Sequence, residues 1–436
     1  MAHLFPFQAY RYNRQIVPDL GRVVTQPYDK ISPEMQEEYY RRSPYSVVQI
    51  TRSLEKNQNP DTKYPAAAAT LRRWIEQGLL IQDPQPAIYV YYQDYETDGE
   101  TKIRKGFITL LDLKRSASGI LPHERTLAGP KMDRLQLMRS TECNDDLIFM
   151  LYNDDRLAVN RILDVQASGC APEIEVKDDF GALHRVWSVT DRSAIETIQE
   201  AMAAQELFIA DGHHRFETSL NYMRECEAKG WAPAGLESFD KRMVACFNTA
   251  GQGITILPTH RLVRDLPQFD SRAFLKAAGR YFDSKEEPSA EALWAAMKEG
   301  RRLGHIFGFY PEDTRRFYSL RLKEEARRDP LTPAHGEAYQ DLDVSILHTV
   351  VLEKLLGIDE AKLVAQAHVD FARDRDACIR RVNEGKYQAG FFLNPTSVEQ
   401  VQRVASLGGR MPQKSTDFYP KLLTGLLFMK MKISKP

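Results

Sequence analysis

A chain of 436 residues is long enough for two or three domains, and 43% hydrophobic with 27% charged residues is typical of a soluble globular protein. Its 59 Lys and Arg against 60 Asp and Glu leave no basic excess, which argues against nucleic acid as the main partner. Five scattered cysteines without metal spacing indicate reduced thiols. The sequence also shows no leader pattern and no long apolar run. Together these features predict a cytoplasmic protein that does not enter a membrane.

The first part of the chain alternates predicted helices and strands and contains no obvious catalytic cluster. Helix starts are recognised from capping residues, and the hairpin from an Asp-Gly pair between two alternating runs. The predicted elements are a helix over 33–42 behind the N-cap Ser32, a strand over 45–52, a helix over 65–77, and a hairpin of strands 87–95 and 103–113 around Asp98-Gly99.

A polar loop follows, Pro122-His123-Glu124-Arg125-Thr126, and Leu135 and Met138 predict a helix shortly after it. The loop brings a base, an acid and a cation together. A carboxylate held on a rigid loop is what general-base chemistry on a hydroxyl needs. A salt-bridged surface loop is the alternative. The acidic pair Asp145-Asp146, before the apolar strand 147–151, is predicted to be a solvated strand end.

The most informative stretch is 207–220, where four apolar residues predict a short buried strand before Asp211-Gly212-His213-His214-Arg215. Asp-Gly is a turn signal, and from Arg215 onward apolar residues recur at helical spacing. A helix start offers N–H groups and the positive end of the helix dipole, and two imidazoles and a guanidinium add to it. The pattern therefore predicts a site for phosphate or another anion.

The rest of the chain continues the alternation of helices and strands. Gly251-Gln252-Gly253 is too short for a dinucleotide fingerprint and indicates a hairpin turn. The predicted strands are 183–189, 241–248, 254–257, 305–310, 316–321 and 389–393; the predicted helices run to 204 behind a Ser193/Glu196 capping box, over 271–281, 290–298 and 344–356, and to 407 behind a Thr396/Glu399 capping box.

Near the C-terminus, Lys414-Ser415-Thr416 lies between two prolines. A lysine and two hydroxyls suit a phosphate, so a second anion-contacting loop is one interpretation. The glycines of a P-loop are missing, so no backbone nest is implied.

Three boxes together resemble those of the domain-of-unknown-function family 1015, over nearly the whole chain. That family label carries no activity. The boxes are His123-Glu124-Arg125-Thr126 with Gly129-Pro130-Lys131 and Asp133-Arg134-Leu135, Asp211-Gly212-His213-His214-Arg215, and Met411-Pro412-Gln413-Lys414-Ser415-Thr416.

A more distant resemblance covers about residues 115–225. A Pro-His-Glu loop followed by Asp-Gly-His-His-Arg is similar to the free serine kinases of the ParB/sulfiredoxin superfamily. In those kinases the glutamate is the catalytic base, and the second box holds nucleotide phosphates and metal. The two boxes lie further apart here, and sulfiredoxin has a cysteine where this chain has His213. The resemblance implies Glu124 as base, Asp211 as catalytic and next to Mg²⁺, and Gly212, His213, His214, Arg215, His123 and Arg125 on the nucleotide.

These observations predict an α/β protein with a mixed sheet. It would have a ParB/sulfiredoxin-like core over 115–265 and further α/β regions over 1–114 and 266–436. The predicted function is a small-molecule kinase that uses ATP or ADP, with free L-serine as one acceptor. The alternatives are a nucleotide-binding regulator without turnover and a metal-dependent hydrolase using His123, His213 and Asp211. The sequence leaves open whether the chain forms a homo-oligomer. The kinase hypothesis requires Glu124 and Asp211 to act on one substrate.

Overall fold

The fold is taken from a computed structural model that describes residues 2–52, 59–124, 128–328, 337–412 and 414–436. Arg125 and Thr126, which were assigned to the first polar loop, lie outside the described residues. The chain divides into two compact units, the first comprising Met1–Pro122, Thr126–Thr255 and Pro420–Pro436, and the second His123–Arg125 and Ile256–Tyr419.

Strands occur throughout the chain, and most of them lie in two large sheets, one in each unit. In chain order they are β1 Leu4–Phe5, β2 Tyr10–Tyr12, β3 Leu80–Gln82, β4 Ile88–Thr97, β5 Glu100–Asp112, β6 Ile120–Leu121, β7 Cys143–Asn144, β8 Ile148–Tyr152, β9 Ile174–Lys177, β10 Leu183–Val189, β11 Leu207–Asp211, β12 Ala232–Pro233, β13 Lys241–Asn248, β14 Thr255–Ile256, β15 His260–Val263, β16 Phe282–Glu287, β17 Ile306–Pro311, β18 Phe317–Leu322, β19 Val369–Ala372, β20 Ala389–Phe392, β21 Phe418–Tyr419, β22 Met429–Lys430 and β23 Ile433–Ser434.

The helices alternate with these strands, as the sequence pattern predicts. They are α1 Pro33–Arg42, α2 Val48–Thr51, α3 Pro60–Glu76, α4 Ala128–Thr141, α5 Ala158–Ala167, α6 Arg192–Ala203, α7 His213–Ala228, α8 Ser271–Ala278, α9 Ala290–Gly300, α10 Glu324–Arg328, α11 Glu337–Gln340, α12 Asp343–Ile346, continued by a π-helix over Leu347–Leu355, α13 Glu360–Val364, α14 Arg375–Asn383 and α15 Val398–Ser406. Among the described residues, none of these helices has the length and apolar character needed to cross a bilayer.

The first unit is built on a nine-stranded sheet in the order β6-β11-β8-β13-β5-β4-β10-β9, with β1 on β5. The sheet is mixed: β11 runs parallel to β6 and β13 parallel to β8, while the other pairs are antiparallel. The central strands β8 and β13 are buried along their whole length. The predicted α/β class with a mixed sheet is therefore confirmed, and strands from the predicted regions 1–114 and 115–265 share this one sheet.

Two local predictions in this unit are confirmed closely. Strands β4 and β5 pair from Tyr89–Ile108 to Thr97–Glu100, and the two residues between them, Asp98 and Gly99, have φ of 52° and 76°. Positive φ at both positions is the type I′ geometry that Asp-Gly favours in hairpins. Helix α1 begins behind Ser32, whose hydroxyl accepts a hydrogen bond from the backbone N–H of Met35.

The second unit contains a six-stranded antiparallel sheet in the order β16-β18-β17-β20-β15-β19. Helices α9 and α14 pack on it around a core that includes Leu293, Met297 and Phe392. The sequence pattern predicted β17, β18 and β20 but missed β16, whose four central residues are exposed and therefore carry no alternation of apolar and polar positions.

The predicted strand over 45–52 is wrong, because residues Val48–Thr51 form helix α2. Val48 is fully buried in a small core with Ile31 and Tyr39. Packing of this kind outweighs the preference of β-branched residues for strands, which is weak and depends on context.

The predicted pairing of strands 241–248 and 254–257 is also wrong. Strand β13 lies inside the large sheet and pairs with β5 on one side and β8 on the other. Gly253 has φ of 98°, and a Cβ atom at this position would lie 2.3 Å from the carbonyl oxygen of Ile103. The glycine is thus needed for close approach to β5 as well as for a turn.

Both predicted capping boxes are displaced. Helix α6 is capped by Asp191, whose side chain accepts from the N–H of Ala194, and not by Ser193 with Glu196. Helix α15 has a full capping box, made by Ser397 and Gln400 one residue beyond the predicted Thr396 and Glu399. In each case a neighbouring residue with the same chemistry is the one placed to accept the hydrogen bond, a choice that spacing alone does not decide.

Candidate functional site

The Asp211 box forms the predicted strand, turn and helix. Strand β11 runs to Asp211, Gly212 turns the chain with φ of 97°, and α7 begins at His213 without a side-chain cap. The register on β8 shifts between Ile209 and Asp211, so that Ala210 and Asp211 together oppose one residue, Phe149. Such a bulge re-aims a side chain at the end of a strand. Here it places a carboxylate beside the start of a helix.

Asp211 is surrounded by positive charge from distant parts of the chain. Its Oδ2 accepts a hydrogen bond from Lys421 Nζ at 2.9 Å, and its Oδ1 lies 3.6 Å from Arg215 Nη2. Burial alone would raise the pKa of this carboxyl, but the charges of Lys421, Arg215 and Lys30 outweigh burial and hold it well below its ordinary value. Asp211 is therefore an anion at any physiological pH.

Arg215 points into the protein and ties Asp211 to a second carboxylate. Its guanidinium donates to the carbonyl of Leu147 and lies 3.9 Å from Asp146 Oδ2. Burial would lower its pKa, yet Asp146 and Asp211 raise it. The contacts make Arg215 a partner of these two acids, and its predicted role on a phosphate stays a prediction. His213 is 5% exposed and His214 is half-buried, both in the first turn of α7.

In the second unit, the first polar loop and the Lys-Ser-Thr loop lie together. Glu124 forms a parallel β-bridge with Met411, and its Oε1 accepts from the backbone N–H of Lys414 at 3.4 Å. His123 Nε2 is 3.1 Å from the hydroxyl of Thr416, and its carbonyl accepts from Met411 N at 2.6 Å. These contacts join residues about 290 positions apart and hold the Glu124 carboxylate on a fixed backbone.

The Lys-Ser-Thr loop is itself braced from within the second unit. Lys414 has φ of 57°, a conformation that costs energy for a residue with a side chain. The fully buried Arg261 donates to its carbonyl at 3.2 Å and also contacts His348 Nε2 at 3.1 Å. Ser415 accepts at its carbonyl from the hydroxyl of Thr396 at 3.0 Å. The strained backbone is thus stabilised by groups outside the loop.

Behind Asp211, the first unit contains a buried charged cluster, which we call the arginine–aspartate cluster. Asp146 is 6% exposed and bonds through its side chain to Arg242, which is 1% exposed. The prediction that Asp145-Asp146 is a solvated strand end is therefore wrong. Strands β7 and β8 are buried, and the acids between them lie next to arginines from other elements. The cluster consists of Arg134, Asp145, Asp146, Arg215 and Arg242, which line one pocket with Thr218 and Cys143.

Asp145 is the acid of this cluster whose charge is least compensated. Its Oδ2 is buried and accepts no hydrogen bond from the residues that the structure describes. Burial and the charge of Asp146 raise its pKa to about 6, and Arg134 and Arg242 only partly oppose this. The ionised carboxylate therefore costs stability in the folded protein at neutral pH.

We expect Asp145→Asn to stabilise the protein at pH 8. A folded-state pKa above the ordinary value means that the penalty is present above pH ~6 and fades as the pH falls toward ~4, where folded and unfolded chains are both protonated. At ~1.4 kcal/mol per pKa unit, and with solvent reaching part of the side chain, the gain should be about 1–2 kcal/mol. Urea unfolding of both proteins at pH 8, 6 and 4.5 measures it.

The pH dependence identifies the cause of this effect. Asp155→Asn, on an exposed side chain after β8, is the control and should change stability by little at any of these pH values. A stability difference for Asp145→Asn that is the same at pH 8 and pH 4.5 would show that packing, and not ionisation, is responsible.

Sequence reasoning missed the groups that surround Asp211. Lys421 contacts Asp211 from 210 residues away, and Asp146 contacts its partner Arg215 from 69 residues away; no local spacing signals such pairings. Within the described residues, no group of three or more His, Cys, Asp and Glu side chains is arranged to hold a metal ion. The metal role predicted for Asp211 stays a prediction.

Comparison with known structures finds distant likenesses. A conserved hypothetical protein from Pyrococcus furiosus is 11% identical, covers 72% of this chain and 92% of its own, and has a TM-score of 0.35. A free serine kinase in complex with AMP is 10% identical, with coverage of 71% and 86% and a TM-score of 0.36. C-terminally truncated SbnI from Staphylococcus aureus is 10% identical, with 73% and 85% and a TM-score of 0.36. Likenesses at this level carry no argument about the activity of this chain.

The sequence comparisons are more specific about the family. No curated protein matches the chain. A family model described as a protein of unknown function, DUF1015, matches residues 4–345, which include Glu124 and the Asp211 box. The match spans well over half of the sequence, and the chain therefore belongs to the DUF1015 family.

Proposed function

We propose that this protein is a phosphotransferase, a small-molecule kinase that moves a phosphoryl group from ATP or ADP to a hydroxyl, with free L-serine as the first acceptor to test. The observation that carries the proposal is the setting of Asp211, an ionised carboxylate among Lys421, Arg215 and Lys30 at the start of α7. A carboxylate within an excess of positive charge suits a metal–phosphate ligand. The Pro-His-Glu and Asp-Gly-His-His-Arg motifs, which resemble those of free serine kinases, also support a kinase.

The start of α7 supports the phosphate site. A helix of 16 residues presents its positive end there, and Gly212, which has no side chain, stands where a capping residue would otherwise accept from the first N–H groups. His214 in the first turn adds a side-chain donor. We assign Gly212, His213 and His214 to phosphate contacts and Arg215 to the positioning of Asp211.

Glu124 supports the second half of the proposal. A general base must be an acceptor in a defined position, and the Glu124 carboxylate is placed by the β-bridge to Met411 and by the N–H of Lys414. We assign Glu124 as the base, and Ser415 and Thr416 to the substrate.

Asp211 also fits a magnesium ion as one of few protein ligands. Mg²⁺ usually takes one or two carboxylates and completes its shell with water and substrate phosphates, so a three-residue cage is not required. Asp211 would supply its Oδ1 atom to such an ion, because its Oδ2 atom accepts from Lys421. The bound ion would neutralise charge on the transferring phosphoryl group.

The chemistry follows from these roles. Glu124 accepts the proton of the acceptor hydroxyl while the oxygen of that hydroxyl bonds to the terminal phosphorus of the nucleotide. The bond from that phosphorus to the bridging oxygen of the donor breaks, and the nucleotide leaves with one phosphate fewer. The start of α7 holds the phosphoryl oxygens, so the protein acts mainly by positioning and charge stabilisation.

A phosphorus-31 NMR screen tests the function directly. The purified protein is incubated with Mg²⁺, with ATP or ADP as donor, and with L-serine, other amino acids or simple alcohols as acceptors. A kinase yields one new phosphomonoester resonance together with the shortened nucleotide. Nucleotide binding without any new resonance would instead support the regulator. Production of inorganic phosphate alone, with no acceptor dependence, would contradict the kinase assignment.

A further inference from the structure

Lys421 belongs to a segment that nothing in the family match assigns. The family model ends at residue 345, yet Lys421 enters the centre of the first unit and pairs with Asp211 at 2.9 Å. From this we infer that Lys421 is a phosphate-binding residue, which Asp211 holds in place to receive the terminal phosphate of a nucleotide. The inference deepens the proposed function and rests on it.

The backbone at Lys421 is fixed by an unusual arrangement in the sheet. Arg104 on β5 is fully buried, donates to Gln93 Oε1 at 2.8 Å and reaches the carbonyl of Pro420. Gln93 Nε2 in turn donates to the carbonyl of Lys421 at 3.0 Å. Arg104 and Gln93 thus hold the backbone carbonyls of Pro420 and Lys421 in place.

The Arg104 guanidinium also lies over aromatic rings, 4.5 Å from the ring centre of Phe149 and 5.0 Å from that of Phe247. Burial lowers its pKa to about 10, so it remains charged at neutral pH. A rigid, charged anchor under residues 420–421 restricts where the Lys421 ammonium can lie. The site is therefore formed before a ligand arrives, which reduces the entropy lost on binding.

The charges around Asp211 favour an incoming anion. Lys421, Arg215 and Lys30 all act on this one carboxylate, and Arg215 is shared with Asp146, which Arg242 also contacts. Three cations thus act on the single carboxylate of Asp211, and a bound phosphate would add negative charge beside them. Lys421 is 5% exposed and Asp211 22%, so a ligand reaches the pair from the Asp211 side.

A purely structural clamp is the competing explanation. In that case the ion pair only attaches residues 420–436 to β11, and its loss changes stability but not the affinity for phosphate. The two explanations differ for ligands that share a base but not a phosphate chain. A second lysine–acid pair on the same segment, Lys430 with Glu142 at 3.2 Å, serves as the control for loss of an ion pair.

The experiment compares Lys421→Met with Lys430→Met by calorimetry in the full chain, with ADP, adenosine and pyrophosphate as ligands. Loss of one charge-assisted hydrogen bond predicts ADP and pyrophosphate affinities ~10- to 100-fold weaker in Lys421→Met, with adenosine affinity unchanged. Lys430→Met should bind all three as the wild type does. Lys421→Arg, which retains the charge, should recover part of the affinity.

The outcomes separate this inference from the proposed function. If the wild type binds ADP and a folded Lys421→Met protein binds it equally well, the inference is wrong and the kinase proposal stands. If the wild type binds pyrophosphate in a Lys421-dependent manner but transfers no phosphoryl group, the kinase proposal fails and the phosphate role is retained. Equal weakening of adenosine and ADP, or failure of Lys421→Arg to recover when Lys421→Met is folded, would favour the clamp.

Discussion

Glu124→Gln is expected to lower the rate of phosphoryl transfer by about 10²–10⁴-fold, the usual contribution of a general base, while nucleotide affinity stays near that of the wild type. Glutamine keeps the shape and a carbonyl oxygen that can still accept from the N–H of Lys414. It removes only the site that takes the proton. Single-turnover kinetics with saturating nucleotide and acceptor, together with calorimetry of the nucleotide alone, measure the two quantities separately.

The control is Glu384→Gln, which removes one carboxylate from an exposed ion pair with Lys386 in the same unit and should change neither quantity. Wild-type transfer that survives Glu124→Gln at full rate would remove Glu124 as base, and with it the main reason for the comparison with serine kinases. A wild type that binds nucleotide but never transfers phosphate would identify a regulator, for which no variant of Glu124 has a rate to lose.

The acid–base profile adds a readout that loss of folding would not produce. If Glu124 is the base, the pH dependence of transfer in the wild type should show an acidic limb, because a protonated carboxyl cannot accept the hydroxyl proton. Glu124→Gln should lack that limb in whatever residual rate remains. A residual profile with the same acidic limb would assign it to another group.

The elements around the Asp211 box could be predicted because their signals are local. A run of four apolar residues, a glycine that must adopt positive φ, and apolar residues at helical spacing all lie within 14 residues, and β11, Gly212 and α7 form as expected. The Asp98-Gly99 hairpin is a second example, since its turn chemistry admits one strand pairing. In the β-branched run 45–52, by contrast, tertiary packing outweighs the local preference for a strand.

The surroundings of the site could not be predicted, because they depend on contacts across long stretches of sequence. Lys421 contacts Asp211, and Arg104 contacts the neighbouring Pro420 carbonyl from a distant part of the sequence. An arginine in a strand or a lysine near the terminus has no distinctive spacing. Proximity to an apolar strand suggested solvated strand ends for Asp145-Asp146. The structure shows that the arginines which accommodate them come from α4, α7 and β13.

Asp146→Ala is expected to destabilise the first unit strongly, by about 3–5 kcal/mol, because it breaks a buried ion pair on one side only. Arg242 is 1% exposed and would lose the carboxylate it contacts, and Arg215 would lose one of the carboxylates that act on it, while Asp211 stays 3.6 Å away. A buried guanidinium cannot shed its proton to escape this cost at neutral pH. The free energy of unfolding in urea, at pH 7 and moderate salt, measures the loss.

Two further variants identify the cause. Asp164→Ala removes a half-exposed pair with Lys105 and a hydrogen bond from the Tyr92 hydroxyl, and should cost about 1–2 kcal/mol, well below Asp146→Ala. Asp146→Leu combined with Arg242→Met replaces both charges with apolar side chains and should recover much of the stability lost in Asp146→Ala, because no unpaired charge remains between them. If Asp146→Ala costs no more than Asp164→Ala, the cluster is not a buried charge network. If the double variant is as unstable as Asp146→Ala, lost packing and hydrogen bonds are responsible, and Arg215 would still orient Asp211 through the remaining 3.6 Å contact.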